Sequence, residues 1–109
     1  MRVLKFIVNG PTIRQDPSCD FDGLFPAPGQ EIAAEFAFSS EWLNIPKVAA
    51  FYSMLDKEYP PQIIDDECRC VIPSEALNRP TFKLQLLGNN RGRIISTNKL
   101  TVYQKGGKA

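Results

Sequence analysis

The chain has 109 residues, of which 43% are hydrophobic and 23% charged, and its formal net charge is +1. This composition is too apolar for a disordered chain, and the length suits one domain that buries its own core. The near-neutral charge gives no general attraction to nucleic acid or to a membrane surface. The first residues lack an export signal, and no stretch approaches the roughly 20 apolar residues of a transmembrane helix. We therefore expect a soluble protein that is made in the cytoplasm.

Charge is unevenly distributed along the chain. Six acidic and no basic residues lie between positions 15 and 46, whereas seven basic and no acidic residues lie beyond position 76. If folding keeps these segments apart, the molecule has an acidic side and a basic side. If folding places them on neighbouring strands, they form ordinary cross-strand pairs instead. The sequence leaves both arrangements open.

Short β-rich segments divided by turn residues make up the N-terminal half. Residues 2–8 predict a strand that ends at the Asn-Gly-Pro turn of residues 9–11, and the proline-rich stretch 11–30 predicts a long connection. Residues 32–38 alternate between aromatic or aliphatic and smaller side chains, which predicts a half-buried strand, and Trp42 follows in a loop. The hydrophobic residues of the connection that we expect to cover an edge of the core are Phe21, Leu24 and Phe25.

The C-terminal half continues the pattern of short strands. A run of two prolines at 60–61 predicts an edge strand or a loop, because proline cannot donate to a sheet. The other predicted elements are a central strand at 47–53, a turn at 65–67, a strand at 68–72, a helical turn at 73–77, a strand at 81–87, a hairpin loop at 88–92 and two last strands at 93–96 and 99–103. A polar tail at 104–109 is expected to be flexible.

About seven strands at regular spacing, with turn residues between them, predict an all-β fold. The pattern is typical of an immunoglobulin-like β-sandwich, and an OB-type barrel is the alternative. We expect a single domain over residues 1–109, in which residues 1–31 supply an N-terminal strand and a proline-rich connection.

Catalytic motifs are missing from the sequence. The chain has no histidine, which excludes Ser-His and Cys-His catalysis, and it has no glycine-rich phosphate loop. The three cysteines, an odd number, are interpreted as reduced apolar residues rather than as disulfides or metal ligands. Asp20 and Asp22 share a loop that could bind a metal, but a solvated loop is the preferred interpretation. We therefore expect no enzyme, no cofactor and no metal site.

The C-terminal hairpin carries the candidate interaction residues Arg91, Arg93, Lys99 and Tyr103. Basic residues beside an exposed aromatic ring can bind single-stranded nucleic acid. An intracellular single-stranded nucleic-acid-binding β-barrel is therefore the alternative function, although the near-neutral charge makes nucleic acid an unlikely partner. Trp42 could likewise be a ligand platform, but a lone tryptophan in a β-domain is more commonly a core residue.

Four segments in a fixed order resemble immunoglobulin-like modules of tailed-bacteriophage virion proteins. The segments are FAFSSEW at 36–42, KVAAF at 47–51, CVIP at 70–73 followed by EAL, and FKLQLLG at 82–88. They look like that family's Phe-Ser-x-x-Trp loop, Val-Ala-x-Phe core strand, Ile-Pro corner and strand ending in glycine. The resemblance covers residues 32–102. It implies a core that contains Phe36, Phe38, Trp42, Phe51, Phe82 and Leu84, and a corner at Pro73.

The resemblance implies a non-enzymatic virion protein, located in the virion after synthesis in the host cytoplasm. Such a protein would be a capsid decoration, head-fibre, baseplate or tail accessory component that docks onto phage capsid or tail proteins. Homo-oligomerisation stays open, and no membrane partner is expected. The long proline-rich segment before residue 31 and the early end of the chain depart from the family pattern. We therefore expect a separate means of attachment, in the N-terminal strand, the 17–29 loop or the basic tail.

Overall fold

The computed structural model describes residues 2–19, 31–77 and 81–103. The strands in these ranges are β1 Arg2–Asn9, β2 Thr12–Gln15, β3 Ile32–Phe38, β4 Lys47–Tyr52, β5 Gln62–Ile63, β6 Arg69–Val71, β7 Thr81–Asn90, β8 Arg93–Ser96 and β9 Leu100–Tyr103. A 3-10 helix, Ser40–Trp42, precedes β4, and the one-turn helix α1, Ser74–Leu77, precedes β7. The predicted tail at 104–109, the hydrophobic residues at 21–25 and the aspartates at 20 and 22 lie outside the described residues.

The strands form two sheets, which confirms the predicted all-β sandwich. The first sheet has the order β2-β1-β3-β6, with β1 parallel to β3 and the other neighbours antiparallel. The second has the order β5-β4-β7-β8, all antiparallel, and β9 also pairs with β7. Two separate sheets are the arrangement of a sandwich, not of the OB-type barrel that was the alternative.

The interior between the sheets is almost entirely apolar, because alternate residues of each strand point inward. Phe6 stacks on Phe36 within the first sheet at 5.6 Å between ring centroids, and Phe51 contacts Phe82 within the second at 6.0 Å. Removing each such side chain from water stabilises the fold by roughly 1.5–3 kcal/mol. The largest fully buried side chains of the described residues are Trp42, Phe6, Phe51, Phe82, Leu4, Ile13, Ile32, Ile72, Leu77, Leu84 and Leu86.

Strands β8 and β9 lie along the same edge of β7 and are separated by a bulge at Thr97. The Thr97 side chain is only 4% exposed. Its hydroxyl oxygen accepts the Leu86 amide at 3.0 Å, and the hydroxyl donates to the Asn98 carbonyl at 2.9 Å. The threonine thus replaces backbone pairing that the bulge interrupts.

Asn98 connects this bulge to the first sheet. Its backbone amide donates to the Pro11 carbonyl at 3.0 Å, and its side-chain oxygen accepts the Ile13 amide at 2.9 Å. The two sheets are therefore joined by hydrogen bonds where β2 meets the bulge.

The predicted connection at 11–30 is wrong at its start, because Thr12–Gln15 pairs with β1 as β2. Gly10 has a φ of 57°, which permits a tight turn that places Asn9 opposite Thr12. Ile13 is buried while its neighbours are not. The four residues of β2 lie between Pro11 and Pro17 and are too few for an alternating pattern to indicate a strand.

The predicted hairpin loop at 88–92 is wrong in extent. Strand β7 continues to Asn90, and the turn consists of Arg91 and Gly92 alone. Both have positive φ angles, 55° and 85°, as a two-residue type I′ turn requires. The hairpin is therefore longer and stiffer than the sequence indicated.

The strand predicted at 68–72 is shorter, at Arg69–Val71. Cys68 lies outside it with a φ of 63°, and its carbonyl accepts the Phe36 amide at 2.9 Å. The left-handed conformation at Cys68 turns the chain into β6, which a period-two pattern cannot reveal. Trp42, expected in a loop, ends the 3-10 helix.

Candidate docking surface

The six residues expected in the core all lie between the sheets or at their border. Five are buried, namely Phe36, Trp42, Phe51, Phe82 and Leu84. Phe38 is half-buried and packs at the end of the aromatic row, 5.8 Å from the Trp42 ring. The Lys47 ammonium lies 5.1 Å from the centre of the Phe38 ring and donates to two carbonyls, which fixes it in place.

Trp42 fills the end of the interior near the β7–β8 hairpin. It is 1% exposed, and its indole N–H donates to the Gly10 carbonyl at 2.8 Å. The ring lies against Gly88 of β7, where an added Cβ would come within 3.0 Å of Trp42 Cζ3 and 2.9 Å of Ile45 Cδ1. A glycine at this position therefore makes room for the indole. Burial at this site excludes Trp42 as an exposed ligand platform.

An open groove of about 440 Å³ lies beside Trp42, between the β1–β2 turn and β8. We call it the end groove. The β1–β2 turn contributes Gly10 and Pro11 to one wall, and Arg93 and Ile95 of β8 form the other. The lining is mainly apolar, with one carboxylate and one guanidinium at its borders. Its volume lies in the range of ligand-binding clefts, so its apolar surface has room for at least one hydrophobic side chain from another molecule.

Glu41 lines the end groove beside Gly10, where an added Cβ would lie 3.6 Å from its carboxylate. Its carboxylate accepts a short hydrogen bond from the Ser39 hydroxyl, and the same hydroxyl oxygen accepts the Gly10 amide at 2.9 Å. The hydrogen bond from Ser39 lowers the pKa of the Glu41 carboxyl. The Ser39 hydroxyl thus links the Glu41 carboxylate to the β1–β2 turn.

The outer face of the second sheet carries a row of apolar side chains, which we call the apolar strip: Val48, Ile63, Leu87 and Ile94. The register places Val48 between Ile63 and Leu87 on adjacent strands. Ile63 is 80% exposed and Ile94 63% exposed, and all four line a shallow cavity of about 300 Å³. Val48 and Leu87 are half-buried between these two exposed residues, so the strip is a partly exposed apolar surface of the kind that can bind a partner.

Sequence reasoning missed the apolar strip, although a signal was present. Ile63-Ile64, Leu86-Leu87 and Ile94-Ile95 are three apolar pairs, and in a strand consecutive residues point to opposite faces. One member of each pair therefore had to point away from the core. Ile64 and Leu86 are buried in the structure, Ile95 packs against the core, and their partners form most of the strip.

The four candidate interaction residues do not form one cluster. Arg93 pairs with Asn90 at the hairpin end of β7, whereas Tyr103 pairs with Thr81 at the opposite end. Nine residues of strand separate these positions, or about 30 Å. Arg91 and Arg93 therefore lie near the end groove and the apolar strip. Lys99 and Tyr103 lie toward the opposite end of β7.

Lys99 is occupied by interactions within the molecule. Its ammonium lies 3.5 Å from the Asp56 carboxylate, which Lys83 also approaches at 3.1 Å. It also lies 4.2 Å from the centre of the Tyr52 ring. The hydrogen bond from Lys83, followed by the charges of both lysines, lowers the pKa of Asp56. These contacts reduce the positive charge that β9 offers to a ligand.

The acidic and basic segments fall largely on opposite sheets. The described acids before position 46 lie on or beside the first sheet, and the described bases beyond position 76 lie on the second. The first sheet also carries Lys5, Arg14 and Arg69, and the last of these bonds Glu35 at 2.7 Å. Its acidic character is therefore diluted, and no ion pair joins the two segments within the described residues.

The cysteines and acidic residues of the described ranges bear on two kinds of site, disulfides and metal sites. None of the three cysteines forms a disulfide, and burial raises the pKa of the Cys70 thiol to about 12, so this thiol stays protonated. Within 2–19, 31–77 and 81–103, no group of three or more acidic or cysteine side chains could hold a metal. None of the helices in these ranges has the length and apolarity needed to cross a bilayer.

Comparison with known proteins adds no relative to this description. No protein-family model matches the chain, and no curated protein matches it either. Function must therefore be argued from the surface itself.

Proposed function

We propose that the protein is a non-enzymatic structural or accessory component of a tailed-phage virion, which docks onto capsid or tail proteins. The observation that carries this proposal is the apolar strip, with Ile63 80% and Ile94 63% exposed, beside a stiff hairpin that presents Arg91 and Arg93. Aliphatic side chains bordered by arginine have the character of a protein-binding surface, because such interfaces are enriched in arginine and apolar contacts.

The strand order supports an immunoglobulin-like relationship. The arrangement β5-β4-β7-β8 in one sheet and β3-β6 in the other corresponds to strands C′-C-F-G and B-E of immunoglobulin domains, with the same alternation between sheets. Strand β1 departs from that scheme because it runs parallel to β3. The proposal therefore assigns the module to β3–β9 and treats β1 and β2 as an addition.

The apolar strip alone is too small for stable docking. Specific interfaces bury about 1,200–2,000 Å² in total. The strip, the β7–β8 hairpin and the end groove adjoin one another around β8 and together form a larger continuous surface. We propose that all three contact the partner. Single-stranded nucleic acid is a weaker alternative, because Lys99 shares Asp56 with Lys83 and lies far from the arginines.

The test is incorporation into virions. The wild-type chain, tagged and expressed during phage growth, is expected in purified particles by mass spectrometry. A double variant, Ile63→Asp with Ile94→Asp, is expected to lose incorporation, because two charges would be buried in the interface. Leu55→Asp is the matched control, since Leu55 is 91% exposed on the β4–β5 turn, away from the strip. Particles that lack the wild-type protein, or that take up the double variant normally, would overturn the proposal.

A further inference from the structure

Strand β8 has one edge without a strand partner in the described part of the chain. The tight turn makes Asn90 and Arg93 a hydrogen-bonded pair, so Gly88 and Ile95 form the next such pair. The backbone groups of Ile94 and Ser96 must then point away from β7. The Asn89 amide supports this alternation of hydrogen-bonded and non-hydrogen-bonded pairs, because it points away from β8 and donates to the Pro46 carbonyl at 3.1 Å.

The same edge is already occupied two residues further along. At Asn98 the backbone amide points outward and donates to the Pro11 carbonyl, so the β1–β2 turn pairs there as an added strand would. Pro11 also borders the end groove, next to Ser96. The open stretch is thus short and has a defined end, and its outward N–H and C=O groups belong to Ile94 and Ser96.

Side-chain sites lie on both sides of this open edge. On the inner side, the end groove of about 440 Å³ has Trp42 and Ile95 in its lining. On the outer side, Ile94 and Leu87 belong to the apolar strip. Because successive side chains of a strand alternate between faces, a strand laid along β8 would place one side chain in the groove and its neighbours on the strip.

The charges at the edge are of one sign. Arg91 and Arg93 are exposed, and neither makes an ion pair with another residue in the described ranges. Glu41 is on the opposite wall of the groove and bonds Ser39. A carboxylate on a segment beside β8 would therefore meet the arginines first.

We propose that β8 accepts an extended acidic segment of a partner protein as an added strand, with one apolar side chain in the end groove. This inference deepens the proposed docking function and rests on it for the identity of the partner. The backbone of Ile94 and Ser96 would supply the pairing, and Arg91 and Arg93 would select for acidic residues.

In the register centred on Ile94, a second copy of the chain fits this edge less well than an acidic segment does. Antiparallel pairing of two β8 strands about Ile94 would place Arg93 of one copy opposite Ile95 of the other. The two Arg93 side chains would then be diagonal neighbours, about 7–8 Å apart, where like charges are unfavourable. An acidic segment meets no such repulsion.

The experiment is an NMR titration of the full chain with synthetic peptides. The probes are capped octapeptides in which glutamate alternates with Val, Ile, Leu, Phe or Tyr, and the same peptides with lysine in place of glutamate. The acidic set is expected to shift the amide signals of Ile94 and Ser96 and to slow their hydrogen exchange. No shift with any acidic peptide, or equal binding of the lysine set, overturns the proposal.

Two matched pairs of variants localise the effect. Ser96→Pro removes an outward N–H without breaking a bond to β7, whereas Ser96→Ala keeps that N–H. The proline variant is expected to bind at least tenfold more weakly than the alanine variant, at a similar melting temperature. Arg93→Glu is likewise expected to lower the affinity for the acidic peptides at least tenfold. Lys57→Glu reverses an exposed charge on the β4–β5 connection and is expected to leave this affinity unchanged.

If Ser96→Pro proves unfolded, the decisive comparison is Arg93→Glu against Lys57→Glu. Equal affinities within either folded pair count against strand addition. Sedimentation of the free protein tests the second copy. If the wild-type chain forms dimers and either Arg93→Glu or Ser96→Pro makes it monomeric, the edge belongs to a second copy and the proposal is overturned. Peptide binding is measured without virions, so a protein that binds the peptides yet is absent from particles refutes only the virion function.

Discussion

The two halves of the β7 edge that lies opposite β4 pair with strands of similar length but different surroundings. Strand β9 follows the bulge, has Val102 fully buried and lies beside β2 of the other sheet. Strand β8 precedes the bulge, exposes most of its residues and has no strand beyond it in the described residues. Within the described residues the edge is therefore hydrogen-bonded to the other sheet at the bulge next to β9, which we call the closed half, and has no such bond along β8, the open half.

This difference shows how the edge of a sandwich becomes sealed. Closure at the bulge depends on Asn98, which binds Pro11 and Ile13 from the opposite sheet. Pro11 lies in the turn between β1 and β2, and both strands belong to the other sheet. No strand of the described residues therefore pairs with the outer edge of Ile94. The position of one turn thus determines where the edge stops being protected and where a partner can bind.

The largest expected effect on stability is at Trp42, which fills the end of the interior. Trp42→Ala removes a fully buried ring and leaves the Gly10 carbonyl without its indole donor. We expect a loss of about 3–5 kcal/mol in the free energy of unfolding, measured by urea denaturation. The end groove should also collapse or fill with water. A loss below about 1 kcal/mol would show that the indole is not a core residue.

A smaller effect is expected inside the bulge. Thr97→Val keeps the shape of the side chain but leaves the buried Leu86 amide without an acceptor. The expected cost is about 1–3 kcal/mol by the same measurement. Thr101→Val on β9 is the control, because Thr101 is only half-buried and points outward, and it should change stability by less than about 0.5 kcal/mol. Equal costs would contradict the role of the Thr97 hydroxyl.

The contact between the sheets is tested at Asn98. Asn98→Ala removes the acceptor of the Ile13 amide and is expected to cost about 0.5–1.5 kcal/mol. Hydrogen exchange at Ile13 should accelerate, while exchange at Leu84 in the centre of β7 should not. Asn90→Ala, on the open half, should leave exchange at Ile13 unchanged. Faster exchange throughout the protein would show general loosening rather than local opening of the seal.

The smallest effect is expected at Asp56, which binds the lysines near the closed half. Lys83 and Lys99 lower its pKa, so its contribution to stability is present above the unfolded pKa and is lost as pH falls through the folded one. Asp56→Asn should slightly lower the urea midpoint at neutral pH and leave it unchanged in strong acid. Because the carboxylate is exposed, the difference should also shrink in high salt. If the urea midpoints of the wild type and Asp56→Asn differed more in acid than at neutral pH, the lowered pKa of Asp56 would be contradicted.

The alternation of apolar residues was sufficient to predict the sandwich. Segments such as 81–87, with Phe82 and Leu84 inward, carry a period of two that admits few other folds. The same rule failed where backbone angles decide the structure. Residues with positive φ at Arg91 and Cys68 set the ends of β7 and β6, and neither is a residue type that signals this conformation.

The docking surface could be predicted only in part. Arg91 and Arg93 were identified from the charge of the C-terminal hairpin, but their separation from Lys99 and Tyr103 depends on the register along β7. The end groove depends on contacts between Pro11 and residues more than eighty positions away. Local sequence contains no information about such contacts, and for that reason the open edge of β8 emerged only from the structure.

The parallel pairing of β1 with β3 has a consequence for the order of folding. Residues 2–8 of β1 each meet a residue thirty positions later, as Arg2 meets Ile32 and Val8 meets Phe38. Distant contacts form slowly because a long loop must close first, whereas the β7–β8 hairpin closes over two residues. Stopped-flow refolding should therefore show the hairpin in the transition state, with high φ-values there and low ones in β1. The β3–β6 and β4–β7 pairings close longer loops still, as Glu35 meets Arg69 and Lys47 meets Gly88, and are expected to form no earlier than the pairing of β1 with β3.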